Sequence, residues 1–508
     1  MVSPPKWSGS HDAIPRWALP VATLIFFAAT VRGYGVFRDE LYYVACGRHL
    51  DWGYVDHPPL VAWIAAAVRG VFGASWIALR LVCAVAAAAM VLLVGETARV
   101  LGAEAWGRML AQLLAATAPV YLSLFTIYSM NAFDVLIWAG LAWLAATLLA
   151  GGDPRLWLAF GLLAGVGLEN KIDVAFLGVG LGAGILLARR FDLLRERRMW
   201  IGAGIAVLLF APHLVWQQLH GWPTAEFVAN AQREKIVRLG ALRFLGAQGM
   251  MVGPVAALLA AVGLGWLLAA RAARPFRPLG WAVLAVLGIL VASVSKPYYF
   301  APAWTVLFPA AGAALERWIP KRALRAVAVV AVLSVVAAAP LAKPLVSEDR
   351  YVRYASALGF APSADENHRM GRLPQFFADM HGWREMAEAV ARVVGTLPAD
   401  ERSRACVYGN NYGEAGAVDY YREELGLPPA ISGHNSYWLW GPGPCTGAVM
   451  VIVGGDREDH LRNFATVEDA GTFRCADCMP YESDLTLWVA RGLSVPLAQA
   501  WAGAKHYN

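Results

Sequence analysis

Apolar positions fill the first two thirds of the chain in long runs, whereas the last third breaks into short alternating patches. The long runs fall near 17–33, 77–98, 106–125, 133–150, 156–170, 174–189, 200–216, 246–270, 279–295, 300–316 and 324–345. A helix needs roughly 20 apolar residues to cross the hydrocarbon core of a bilayer, so the pattern predicts about eleven transmembrane helices. Between the first two runs lies PPLVAWIAAAVRGVFG, apolar but short and interrupted by Arg69 and Gly70. That composition predicts an interfacial or re-entrant helix in the first outer loop, 34–76. Beyond residue 346 the apolar stretches shrink to strand length, as in ACVYG and AVMVIVGG, and alternate with helical patterns such as WREMAEAVARVVGTL. The chain therefore divides into a polytopic α-helical membrane domain, 1–345, and a small C-terminal α/β domain, 346–508.

Composition agrees with this division. Of 508 residues, 58% are hydrophobic and 16% charged, and 21 are tryptophan. Such values lie outside the range of soluble domains. The net charge of +6 is modest and gives no reason to expect a nucleic-acid partner. The basic residues gather in alternate loops: Arg99 and Arg108, Arg155, ARRFDLLRERR, RAARPFR and ERWIPKRALR. The excess of Lys and Arg on the inner side of membranes then puts the N-terminus in the cytoplasm, and an odd span count puts the C-terminal domain outside. The opening MVSPPKWSGSHDAIPRW lacks a small-residue cleavage site, so the first run reads as a signal anchor. Cys406, Cys445, Cys475 and Cys478 fall in the outer domain, where disulfides persist, although four thiolates would also suffice for zinc.

Ionisable residues near membrane helices are costly, which makes their position informative. Here they share one side. Asp39, Glu40, Asp56 and His57 lie in the first outer loop, and Asp134 opens the fourth span. Lys171 sits in the turn between spans five and six, His220 closes the seventh, and Lys296 with Tyr298 and Tyr299 forms the turn SKPYYFAP. A transporter would hold its substrate near the midplane. The surface layout suits chemistry on a lipid-borne head group instead. Breaking a sugar–phosphate bond leaves negative charge that Lys171, Lys296 or His57 could stabilise. An acceptor hydroxyl must also lose its proton, and Asp39 is the first candidate base. Each residue has a plainer reading beside this one: Asp39 as a helix cap, Asp134 as an acid favoured by the helix dipole, the lysines as snorkelling side chains, the aromatics as an interfacial belt. A transporter or flippase of lipid-linked sugars is the alternative function, and a membrane-anchored sensor a third.

The ordered set FRDELYY, YVDHPPL, MNAFDVLIW, GLENK, HGWPT and SKPYYFAP resembles the bacterial branch of glycosyltransferase family 39, related to protein O-mannosyltransferases and lipid A aminoarabinose transferases. The resemblance implies a GT-C fold in the bacterial inner membrane and a polyprenyl-phosphate-linked sugar donor. It also implies inversion at the anomeric carbon, and a hydroxyl acceptor on a protein, lipid or envelope glycan. It carries acceptor activation over to Asp39, with Glu40 as partner and Asp134 as second acid. Donor phosphate contacts fall to Lys171, Lys296 and His57, and substrate contacts to Asp56, Tyr298, Tyr299 and His220. His57 stands where the aminoarabinose transferases have a phosphate-binding lysine, and a largely neutral ring is a poorer phosphate ligand. No metal ligand set is assigned; a divalent ion between Asp39 and Asp134 is the form such a cofactor would take.

Overall fold

A computed structural model describes residues 16–236, 239–293, 295–363 and 369–508. The first 15 residues, most of the segment read as leading into the signal anchor, lie outside the described ones. The chain forms two compact units. One comprises residues up to Gly33, Ile77–Val215 and Arg238–Leu345; the other comprises Tyr34–Trp76, Trp216–Val237 and Val346–Asn508.

In the first unit a helix falls on every one of the long apolar runs, but many of these helices are short. Among the described residues only Trp76–Val100, Met130–Leu149, Arg197–Leu219 and Arg274–Ala292 are long and apolar enough to cross a membrane, against the eleven expected. Proline and glycine explain part of the difference. Pro119 divides the run 106–125 into Ala105–Thr117 and Pro119–Leu124, because the residue before a proline is pushed out of the helical region; Ala118 has φ −59° and ψ 123°. Gly253, at φ +89°, and Pro254 break the run 246–270 into Ala241–Val252 and Pro254–Ala269, bent by 111°. Small residues set the helix spacing. A β-carbon on Gly161 would lie 2.0 Å from the carbonyl oxygen of Gly202, and one on Gly107 would lie 2.5 Å from that of Gly312. These backbones approach as closely as membrane helices with glycine at their contacts do.

The second unit is built on a five-stranded sheet. Its strands are β1 (Ala405–Gly409), β2 (Ala430–Ile431), β3 (Val449–Val453), β4 (Phe464–Phe473) and β5 (Leu485–Leu493). The order is β2-β1-β3-β5-β4, with β2, β1 and β3 parallel and β5 antiparallel to both β3 and β4. Strand β3, VMVIV, is buried at every position, as a central strand covered on both faces must be. On one face Val407, Val451 and Val489 pack with Trp383, Met386 and Val390 of the helix Trp383–Thr396 and with Ala417 and Val418 of the helix Tyr412–Leu425. On the other, Ile452, Trp488, Leu497 and Trp501 form a second core. Disulfides join Cys406 to Cys445 and Cys475 to Cys478, so all four cysteines of the C-terminal region are paired and the zinc reading falls.

The sequence assigned the first outer loop to the membrane domain, but it packs into this second unit. Val36 and Leu41 enter the same core as Trp383 and Val407. Contact between the helix Arg38–Cys46 and the helix Tyr412–Leu425 depends on two glycines one helical turn apart. A β-carbon on Gly416 would lie 3.2 Å from Leu41 Cβ, and one on Gly413 would lie 2.6 Å from Arg38 Cγ. The apolar segment expected at the membrane surface is helical over Leu60–Phe72.

Candidate functional site

The acid pair opens the helix Arg38–Cys46, and its two members have separate tasks. Phe37 is extended (φ −85°, ψ 147°) and precedes the first helical residue. Glu40 is completely buried and turns back to accept the Phe37 N–H at 2.7 Å, satisfying an amide that the first turn leaves unpaired. The helix is therefore capped by Glu40 and not by Asp39, and Glu40 is withdrawn from the acceptor side. Successive side chains diverge by about 100° on a helix, so Asp39 points elsewhere. Its side chain is 33% exposed, and Oδ1 accepts the Tyr412 hydroxyl at 2.8 Å and lies 3.6 Å from Arg38 Nε.

Arg38 ties this corner together. It donates to the Tyr481 hydroxyl at 2.8 Å, lies 3.7 Å from Asp379 Oδ2 and stacks over the Tyr412 ring at 5.3 Å. Burial works against its charge, but Asp379 and the tyrosines more than offset this and hold the guanidinium well above its ordinary pKa. Beneath lies a tyrosine cluster. Tyr42 donates to Asp56 Oδ1 at 2.7 Å, sits 2.7 Å from Ser436 Oγ and packs 4.7 Å from Tyr412. Burial raises the pKa of Asp56, while His57 and the Tyr42 hydroxyl counter the rise.

His57 is 1% exposed. Its ring packs against Tyr42, Tyr43 and Tyr54, Nδ1 lies 2.7 Å from the Pro58 carbonyl oxygen and Nε2 lies 3.8 Å from Cys46 Sγ. A ring so enclosed has no face for a phosphate, so the expected donor contact is corrected to a packing role. His220 is exposed, stacks on Trp216 at 4.2 Å and places Nδ1 2.8 Å from the Trp216 carbonyl oxygen, closing the end of the helix Arg197–Leu219.

A second acid pair lies deeper in this unit. Glu414 Oε2 accepts the Asn410 N–H at 2.6 Å, and the Asn411 amide donates to Glu414 Oε1 at 3.1 Å and to Glu482 Oε1 at 2.8 Å. Burial raises both carboxyls, with Glu482 raising Glu414 further and Arg38 restraining Glu482.

The first unit carries its own cluster. Asp134, 1% exposed on the helix Met130–Leu149, lies 3.3 Å from Lys171 Nζ, and Asp173 Oδ2 lies 2.8 Å from the same nitrogen. Lys171 and Asp173 belong to the turn between the helices Leu156–Leu168 and Val174–Leu187; Asn170 fixes that turn by donating to the Met130 carbonyl at 2.8 Å. Tyr299 presents its ring 4.7 Å from Lys171 Nζ, stands edge-on to Tyr298 at 4.8 Å and donates its N–H to the Lys296 carbonyl. Lys296 itself is half-buried just before the 3₁₀ turn Pro297–Ala303. Asp134, Lys171 and the SKPYYFAP turn are thus brought together. Asp134 and Lys171, assigned to opposite ends of a substrate from sequence, are partners in one ion cluster.

No three His, Cys, Asp or Glu side chains gather as a metal ligand set among the described residues. At Asp134 and Asp173 the Lys171 ammonium already holds the place a cation would take. These residues do not fit a divalent ion, and no step is routed through one.

Arg38, Tyr42, Tyr412 and Asp173 were not singled out as functional.

A family model described as dolichyl-phosphate-mannose-protein mannosyltransferase matches residues 56–216, which include Asp56, Asp134 and Lys171. The lipid A galacturonosyltransferase RgtD of Rhizobium johnstonii is 28% identical over 301 residues, covering 56% of this chain and 60% of that protein. The chain thus matches three fifths of the length of this relative. Two solved structures of ArnT from Cupriavidus metallidurans share the fold with a TM-score of 0.59 each. The one bound to undecaprenyl phosphate is 14% identical, with 93% of this chain and 97% of that chain covered. The one in the apo state is 16% identical, with 92% and 96% covered. Helices on every expected run, the acid helix and the matched segment accord with these likenesses, and the chain has the fold of the ArnT structures, with a segment similar to the family that the mannosyltransferase model describes.

Proposed function

We propose that the protein is a membrane glycosyltransferase that moves a sugar from a polyprenyl phosphate to a hydroxyl acceptor on the extracytoplasmic face, with inversion. The observation that carries this reading is the state of Asp39. It is a water-reaching carboxylate whose Oδ1 is held by Tyr412, at the head of a helix whose other acid is spent on capping. A general base needs that combination of access and fixed direction. In the reaction the acceptor oxygen attacks the anomeric carbon and gives its proton to Asp39. The bond from that carbon to the phosphate oxygen breaks, and polyprenyl phosphate leaves with the electron pair. In the first unit, the Lys171 ammonium lies 3.3 Å from Asp134 and holds that carboxyl in place. Because the RgtD relative is named for lipid A, a lipid A-type glycolipid is the acceptor to test first.

The test uses purified full-length protein, a panel of synthetic polyprenyl-phosphate sugars and lipid A in mixed micelles, with products read by mass spectrometry. Removing a general base typically costs 10²–10⁴-fold. Asp39→Asn should lose transfer by about that factor while remaining folded. Unchanged turnover in that variant removes Asp39 from the reaction.

A further inference from the structure

We infer that Tyr412 is a positioning residue for Asp39, fixing one carboxylate oxygen so that the other receives the acceptor's proton. The inference rests on the role proposed above for Asp39 and adds a part played by the C-terminal domain. Tyr412 donates its hydroxyl to Asp39 Oδ1 at 2.8 Å across 373 positions of sequence. The ring is held from three sides: Tyr42 at 4.7 Å, His434 at 4.8 Å and the Arg38 guanidinium at 5.3 Å. Its backbone is fixed too, since Asn411 caps the helix by accepting the N–H groups of Gly413 and Glu414. The phenol hydroxyl is therefore presented from a fixed point, which sets the rotation of the Asp39 carboxylate.

Among the described residues Asp39 Oδ2 meets no hydrogen-bond donor, and the side chain remains one-third exposed. One oxygen is thus committed to the protein and the other is left for substrate. Acceptor attack forms the new carbon–oxygen bond, passes the hydroxyl proton to Oδ2 and releases polyprenyl phosphate with its electron pair. The proton leaves along one lone-pair direction, so a carboxylate rotating about its own bond loses alignment even when its charge is unchanged. Sequence reasoning had no access to this, because NYGEAGAVDYY reads equally well as a sugar-binding loop or a glycine-rich turn.

Tyr412→Phe deletes the hydroxyl and keeps the packed ring. With purified full-length protein and the polyprenyl-phosphate sugar that the panel identifies, kcat should fall about tenfold, with the donor KM within about twofold and the unfolding midpoint within about 2 °C. A tyrosine that merely pins the loop predicts the reverse, a lowered midpoint with kcat per folded molecule intact. That outcome, or kcat within twofold of wild type, overturns the inference. Should Tyr412→Phe prove unstable, a second measurement decides. In an Asp39→Glu background, where the carboxylate is already moved by one methylene, adding Tyr412→Phe should cost less than twofold in kcat per folded molecule. An equal loss in both backgrounds refutes action through Asp39. If Asp39→Asn retains full turnover, the proposed function fails and this inference with it. If that variant is inactive while Tyr412→Phe is unaffected, only the inference fails.

Discussion

Replacing Gly413 by alanine tests the contact that holds the acid helix in place. The added β-carbon would lie 2.6 Å from Arg38 Cγ, 2.9 Å from Trp383 Cη2 and 3.0 Å from Arg38 Cδ. Carbon atoms prefer a separation of about 3.5–4.0 Å, so the Arg38 stem must retreat by roughly 1 Å. It has little freedom to do so, because its guanidinium is engaged by Tyr481 and Asp379. Overpacking of this kind costs about 1–3 kcal/mol, and loss of a hydrogen bond to a charged group about 1.5–3 kcal/mol. Alanine returns at most about 1 kcal/mol in helix propensity. The net loss is about 2–4 kcal/mol. Gly395→Ala is the matched control: it lies near the end of the helix Trp383–Thr396 with nothing within 4 Å of its β-carbon position, so it should gain up to about 1 kcal/mol. Thermal unfolding followed by tryptophan fluorescence reads both. At about 2–4 °C per kcal/mol for a unit of this size, Gly413→Ala should drop by about 5–15 °C and Gly395→Ala should rise slightly. Equal shifts in the two variants, or a neutral Gly413→Ala, would refute the close-packing argument.

Two further outcomes are expected. Lys171→Met leaves the Asp134 carboxylate buried without its ammonium, which should cost about 3–5 kcal/mol. Asp134→Asn and Asp173→Asn combined with Lys171→Met should recover most of that stability in heat-challenge size-exclusion chromatography but not transfer activity, and a Lys171→Met variant as stable as wild type would contradict the ion cluster. In the second unit, burial raises the carboxyl pKa values of Glu414 and Glu482 above the ordinary 4.5, and Glu482 raises Glu414 further. The folded state therefore keeps a proton that the unfolded chain releases. The associated stability is fully present below about pH 4.5 and is lost as pH rises through the raised values. Glu482→Gln should flatten the dependence of the unfolding midpoint on pH between about 5 and 8, and a slope identical to wild type would show that the pair does not titrate there.

Much of this was legible from the chain alone because membrane insertion imposes long-range order on composition. Every apolar run became helical, and ACVYG and AVMVIVGG became β1 and β3. Helix lengths were less legible, since Pro119 and the Gly253–Pro254 pair interrupt runs that hydropathy reads as continuous. Asp39, Asp134 and Lys171 could be singled out as candidates because acids and lysines beside apolar helices are rare. Their partners could not. Tyr412 and Asp379 lie hundreds of residues from the groups they touch, and an ordinary tyrosine or aspartate in a soluble domain carries no local mark. His57 and Glu40 show the converse: a suggestive residue type beside an outer turn, but one that burial assigns to packing and capping.

The contact between the Arg38–Cys46 helix and the Tyr412–Leu425 helix also bears on synthesis. Asp39 precedes Tyr412 by 373 residues, so at about 5–20 residues per second the acid loop waits roughly 20–75 s for its partner to emerge from the ribosome. Throughout that interval Leu41 and the face that Gly416 will cover have no core to enter. Newly made chains therefore cannot form the Asp39–Tyr412 contact until their final third is synthesised, and truncation anywhere before residue 412 removes that contact however many apolar helices have already formed.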